Sequence, residues 1–413
     1  MIDYTTFALA NGLRVVHRRE PSAAMAVVNV LYDTGSRDES RELTGVAHLF
    51  EHLMFGGSVN VADFDGEMER AGGVNNAWTS KDYTNFYDVV PVQNIEVALR
   101  LESDRMLGLS MSEESLRVQR SVVIEEFKQQ CLNRPYGDAM HHLSAMLYAP
   151  EHPYSWPVIG LEPSHIARVT NEDVRRVFAE HYAPNNAVLS IVGNISLEDT
   201  RALVEKWFGD LPRRAIAPRR LPSPGFPTAD VRKEVSGAVP QTMIIKAFAM
   251  RPYGEHDYFV ADVITDILSS GQSSRFYQNL VLGSTGLYAS ADACIQGYMH
   301  EGAMLLTALL AEEGPEAEAR AEELLMREAR KLEEAGAVTA YELERAIRRY
   351  ETNYRMSNLR AETLAQSLAD AVMKGEDFNE QPARQRSVTL DDVRRVAADI
   401  FESPSATLVY RPN

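Results

Sequence analysis

The sequence predicts an α+β protein in which one domain is repeated twice in tandem. Two observations carry this expectation. Residues 169–192 (VTNEDVRRVFAEHYAPNNAVLSIV) and 388–409 (VTLDDVRRVAADIFESPSATLV) share a Thr, an acidic turn, the run DVRRV, a break with Pro184 or Pro404, and a β-branched run. Thr170 and Thr389 read as helix N-caps, and each helix leads into a strand. The two threonines stand about half of the 413 residues apart, so the repeat unit is half the chain. The second observation is residues 211–229 (LPRRAIAPRRLPSPGFPTA), which carry five prolines and no helical or strand period. This is a stiff, extended linker. It predicts a first domain over 1–212, a Pro-rich linker over 213–227 and a homologous second domain over 228–413.

The elements follow in order. Residues 25–32 (MAVVNVLY) and 241–248 (QTMIIKAF) read as matching strands. Residues 111–130 read as a helix capped by Ser112, with acidic residues in its first turn. Long charged helices are expected at 315–335 and 340–373. Neither shows a heptad seam, so both read as amphipathic helices covering a sheet.

Composition narrows the function classes. Apolar residues make up 45% and charged residues 24% of the chain, as in an ordinary globular protein. The first 20 residues hold no apolar run long enough for a signal peptide or a membrane span, so a soluble, cytoplasmic protein with no membrane partner is expected. The net charge of −17 argues against nucleic acid as a partner, because phosphates need a basic surface. That charge serves solubility and is compatible with a peptide bearing Lys or Arg. Two cysteines, Cys131 and Cys294, exclude a disulfide framework and a cysteine-based zinc site, and both are expected as small buried side chains.

The run that carries chemistry is Gly45-Val-Ala-His48-Leu-Phe-Glu51-His52-Leu-Met-Phe55-Gly56-Gly57. Val46, Leu49, Phe50 and Leu53 give it a helical apolar pattern. On a helix, His48 and His52 are i and i+4, so their imidazoles leave one face. That separation suits two ligands of a tetrahedral Zn²⁺. Glu51 stands beside the same face, where a carboxylate takes a proton from water. The order is H-x-x-E-H, the reverse of the commoner zinc-protease motif. Histidine is scarce, with 10 in 413 residues, which lowers the chance of an accidental pair. A third ligand is required, and Glu125 and Glu126 both fall near the middle of the 111–130 helix. Val122, Val123 and Phe127 flank both, so periodicity does not choose between them.

These motifs resemble peptidase family M16, the pitrilysin and mitochondrial-processing-peptidase family. The resemblance covers His48 to Gly56, the run Gly72-Gly73-Val-Asn-Asn76-Ala77-Trp78-Thr79 with Asp82, Thr84 and Tyr87, and Arg120 to Glu126. It continues through His152 to Gly160 and, in the second half, through 268–275 (LSSGQSSR) and 338–346 (VTAYELERA). It implies a sandwich of helices on a mixed, mostly antiparallel sheet, occurring twice. It implies one zinc per chain held by His48, His52 and Glu126, with Glu51 as general base. It also implies an edge strand at 73–79, in which Asn76 and Ala77 bind peptide main chain to main chain and the small Ala77 allows a close approach. Trp78 is expected to be a core aromatic, and His141 and His142 surface or packing histidines.

Two departures from the family pattern matter. Its first Glu, a carboxylate near the zinc, is Gln119 here. Members that work alone carry an Arg and a Tyr in their second half that stabilise the oxyanion; the aligned residues here are Leu282 and Ala289. Tyr288 is one residue off, which on a strand points it to the other face; it is kept as a candidate oxyanion donor. The resemblance therefore implies a zinc endopeptidase for short or unfolded peptides that forms a homo- or heterodimer with another such subunit, which supplies the Arg/Tyr pair. The alternatives are a self-sufficient homodimer and a non-catalytic structural subunit.

Overall fold

Strands within residues 5–193 form one mixed sheet and strands within residues 231–412 a second. The structure is a computed structural model and describes residues 1–110, 112–283 and 286–413. Met111, Ser284 and Thr285, on which the expected 111–130 helix and the alignment around Tyr288 partly rest, lie outside the described residues. The first sheet comprises β1 (Thr5–Ala8), β2 (Arg14–Arg19), β3 (Met25–Tyr32), β4 (Val74–Thr79), β5 (Thr84–Pro91) and β6 (Ala187–Gly193) in the order β1-β2-β6-β3-β5-β4. The second comprises β7 (Val231–Gly237), β8 (Met243–Met250), β9 (Tyr288–Gln296), β10 (Gly302–Leu310) and β11 (Ser405–Pro412) in the order β7-β11-β8-β10-β9.

Apart from β1, the two sheets have one topology. Among the described residues each has a single parallel pair, β2 with β6 and β7 with β11, and all other neighbours are antiparallel. The duplication is also seen in local chemistry. Thr170 Oγ1 accepts the Asp173 N–H at 3.2 Å while Asp173 Oδ2 accepts the Thr170 N–H at 3.0 Å. Thr389 and Asp392 repeat this reciprocal cap at 3.1 and 3.0 Å. Central strands β3 and β6 are buried along nearly their whole length, which is why they read as unbroken apolar runs rather than alternating ones. Edge strand β4 alternates between exposed and half-buried residues.

The compact units do not follow the contiguous division 1–212 and 228–413. One unit contains residues 1–127, 157–221 and 354–380; the other contains 128–156, 222–353 and 381–413. The expected 340–373 helix is two helices, Ala340–Ser357 and Ala361–Lys374. Asn358 ends the first by donating its side-chain amide to the Tyr354 carbonyl at 2.7 Å, satisfying an acceptor that helix termini leave open. The second belongs to the first unit and packs on β3 and β6. In the second unit the Ala139–Leu147 helix packs on β8 and β11. Each sheet is therefore covered by a helix from the other half of the sequence.

Cys131 is buried as expected, but Cys294 is exposed: it lies on edge strand β9, where exposure alternates along the strand. Among the described residues, no helix is long and apolar enough to cross a membrane.

Candidate metal centre

The His48 helix (Val46–Leu53) is only eight residues long and begins at Gly45, whose φ is +83°. A Cβ on Gly45 would sit 2.8 Å from the Ile159 carbonyl oxygen and 3.2 Å from the Gly160 Cα, so only glycine fits. Val46, Leu49, Phe50 and Leu53 are buried in the core of the first unit. Phe50 stacks on Tyr182 with ring centroids 4.6 Å apart. Seating this apolar face turns His48, Glu51 and His52 away from the core.

His48 and His52 have their ring centroids 4.9 Å apart, edge to face. Glu126 reaches them from the Glu113–Phe127 helix, whose Ser112 Oγ accepts the Ser115 N–H at 3.0 Å. Glu126 Oε2 lies 3.6 Å from His48 Nε2 and 3.4 Å from His52 Nε2. Ligands of a tetrahedral zinc with bonds of about 2.0–2.1 Å are themselves about 3.3 Å apart. Among the described residues, these three form the one group of three His, Cys, Asp or Glu side chains whose donor atoms all lie within 4.8 Å of one another. Burial lowers the pKa of His48 to about 4, against the Glu126 charge and with that of His52. Burial likewise lowers His52, against Glu126. Both imidazoles are thus neutral at pH 7 and offer lone pairs beside a carboxylate, the donor set that zinc binds. Glu125, one step along the helix, is exposed.

Glu51 accepts a hydrogen bond from the Thr79 hydroxyl at the end of β4. Burial raises its pKa, the Thr79 hydrogen bond opposes the rise and the Glu126 charge adds to it. The site thus joins one helix face, a second helix and the end of an edge strand. Among the described residues β4 pairs only with β5, so its other edge is free within the sheet. Asn76 folds its side-chain oxygen onto the Ala77 N–H at 2.8 Å, and Ala77 packs against the core. Trp78 is not a core aromatic: it is 37% exposed and donates its indole N–H to Gln366 Oε1 at 3.1 Å. Its place on an edge strand leaves that face open. Gln119 is half-buried.

Tyr288 belongs to the second unit. It is 3% exposed in the core of the second unit, and its hydroxyl donates to the Ala321 carbonyl at 2.5 Å. Leu282 and Ala289 are exposed. His142 pairs with Asp138 at 3.0 Å and with Lys233 at 2.8 Å.

Two further features have no local signal in the sequence. Glu39 lies six residues before Gly45, yet its carboxylate accepts the Gly45 N–H at 3.0 Å and the Ala47 N–H at 2.8 Å. In the second unit, the His256–Ser269 helix carries Val260-Ala-Asp262-Val-Ile-Thr-Asp266, matching Val46-Ala-His48-Leu-Phe-Glu51-His52 position by position. Asp262 there accepts from Gln385 Nε2 at 2.6 Å. Comparing the two halves residue by residue would have found this pair.

The insulinase model of peptidase family M16 matches residues 14–150, and the model of the M16 inactive domain matches residues 168–350. The zinc protease PqqE of Helicobacter pylori is 29% identical over 289 residues, covering 67% of this chain and 64% of that protein. The uncharacterized zinc protease YmxG of Bacillus subtilis is 28% identical over 276 residues, 66% of each. The chain thus spans about two thirds of the length of these relatives. The crystal structure of a protease from Helicobacter pylori superposes with a TM-score of 0.88 at 25% identity, covering 100% of both chains. With both halves matched by models of one family, the chain belongs to peptidase family M16.

Proposed function

We propose that the chain is a zinc endopeptidase acting on short or unfolded peptides. One observation carries the reading: two neutral imidazoles and a carboxylate converge at zinc-ligand spacing, with Glu51 on the same helix and a free strand edge beside it. His48, His52 and Glu126 would hold one zinc per chain. When bound, zinc supplies Lewis-acid chemistry, polarising a carbonyl and acidifying water. The free edge of β4 takes the peptide by strand addition, with Asn76 and Ala77 beside its main chain. Glu51 takes the proton of the attacking water and returns it to the leaving amine. Its raised pKa, caused by burial, brings it closer to the pH at which a general base works best. Gln119 stands on the ligand helix as a neutral neighbour of the site.

The oxyanion needs donors beyond the metal. Leu282 and Ala289 have none to offer, and the Tyr288 hydroxyl is engaged by Ala321. We therefore assign the Arg/Tyr pair to a partner subunit of the same family; a self-sufficient homodimer is the alternative. The experiment is a Glu51→Gln variant assayed for zinc and for hydrolysis of unfolded peptides, with and without such a partner. Expected are about one zinc per chain in both proteins and a loss of about 10²–10⁴-fold in turnover in the variant. A wild-type protein without zinc, or a variant within about tenfold of wild type, would overturn the reading. Full turnover by the chain alone would select the homodimer.

A further inference from the structure

We propose that Glu39 is a positioning residue that ties the peptide-binding edge of β4 to the metal-binding helix. The inference rests on the zinc endopeptidase reading for what is positioned and on the local geometry for how. A helix leaves its first N–H groups without intrahelical acceptors, and in an eight-residue helix these are a large share of the whole. The cap residue here is Gly45, which has no side chain to supply an acceptor. Glu39 supplies both: Oε2 takes the Gly45 N–H and Oε1 takes the Ala47 N–H. Its negative charge also meets the positive end of the helix dipole. Ala47 immediately precedes His48, so this carboxylate fixes the turn that carries the first ligand.

Glu39 is itself held by the turn that follows β4. It comes directly after the Ser36–Asp38 turn, which lies against residues 80–82. The Ser36 N–H donates to the Ser80 carbonyl at 3.2 Å, and the Arg37 N–H donates to the Lys81 carbonyl at 2.9 Å. Arg37 Nη1 donates to Asp82 Oδ1 at 2.8 Å. The packing leaves no slack: a Cβ on Gly35 would sit 2.6 Å from both the Ser80 and Lys81 carbonyl oxygens. Lys81 is 5% exposed, and burial lowers its pKa to about 7, against the charges of Glu39 and Asp82. Residues 80–82 begin one residue beyond Thr79, whose hydroxyl holds Glu51. Two connections therefore run from the end of β4 to the His48 helix. Thr79 goes straight to Glu51, and the 80–82 turn goes through Glu39 to Gly45 and Ala47. A peptide that stiffens β4 stiffens both ends of the same two-turn helix.

The test compares wild type with Glu39→Gln and Glu39→Asp. In the Gln variant an amide NH₂ replaces one acceptor, so one helix N–H is left facing a donor. Amide hydrogen exchange is followed across residues 45–53 with and without a saturating inert unfolded peptide, alongside zinc content, kcat and KM. In wild type, peptide should slow exchange in this segment. In Glu39→Gln that protection should disappear, with kcat down about 10²-fold, as for other small misplacements of reacting groups, and KM within about threefold. Glu39→Asp should recover part of both effects. Protection that survives in Glu39→Gln, or a loss expressed only in KM, would overturn the proposal. Exchange is read whether or not the protein turns over, so an inactive or zinc-free wild type would count against the proposed function while leaving the role of Glu39 decided by the exchange data. If Glu39→Gln does not fold, Glu39→Asp is compared with wild type by the same measurements: unchanged protection and kcat would overturn the role.

Discussion

Glu125 and Glu126 differ by one helical step, a rotation of about 100°. That step separates an exposed side chain from one whose oxygen lies 3.4 Å from His52. Periodicity could not make the choice, because the apolar residues around the pair flank both positions. Geometry makes it, since only one of the two carboxylates faces the His48 helix. The expected outcome is that Glu126→Gln loses zinc by about 10²-fold or more in affinity while Glu125→Gln stays near wild type. Metal titration of the purified variants checks this, and the opposite ranking would make Glu125 the ligand. The imidazole pair was legible because i, i+4 spacing is a local fact. Tyr288 was half-legible: strand alternation sets it on the opposite face from Ala289, but only the structure shows that this face is the core. Glu39 was illegible, because its cap arrives from outside the helix it serves, away from the N-cap and N3 positions where sequence rules look.

Among the elements, the repeated helix–strand pairs were legible from their shared Thr caps. The break at Asn358 was not, since charged amphipathic sequence runs on through both flanking helices. The His256–Ser269 helix gives a test of its own. Asp262 and Asp266 are i and i+4 on its half-buried side. Burial, followed by the Asp266 charge, raises the Asp262 pKa from an ordinary 3.8 to about 6, against the Gln385 hydrogen bond. A folded pKa above the unfolded one means that the folded state holds the proton more tightly. Stability from this group is therefore full below about pH 4, falls as pH rises to about 6, and stays lost above that. A rise of this size corresponds to at most about 3 kcal/mol. Asp262→Asn should therefore raise the melting temperature relative to wild type at pH 7, and the gap should close near pH 4. An equal gap at both pH values would show that the carboxyl titrates normally.

At the scale of the molecule, the exchanged helices decide what can fold alone. Residues 1–221 lack the Ala361–Lys374 helix, whose Leu364, Ala365, Leu368 and Ala369 are buried in the intact chain. Without it the β3–β6 face stays uncovered, and exposed apolar surface of that kind drives aggregation. Residues 1–221 expressed alone should therefore be insoluble, whereas co-expression with 222–413 should give a soluble complex that retains zinc. A soluble, monomeric 1–221 fragment would show that the helix is dispensable. The exchange also bears on descent. The Ala139–Leu147 and Ala361–Lys374 helices occupy the same place in their repeats, each lying between the helices that follow a hairpin, β4–β5 or β9–β10, and the Thr-capped helix near the repeat's end. Each has left its own repeat for the other, and the chain consequently passes from unit to unit five times. Duplication of a self-contained domain would leave every helix at home. A reciprocal trade is what two separate half-length ancestors make when they swap an element as a dimer, and joining their genes end to start would have frozen that embrace into a single polypeptide.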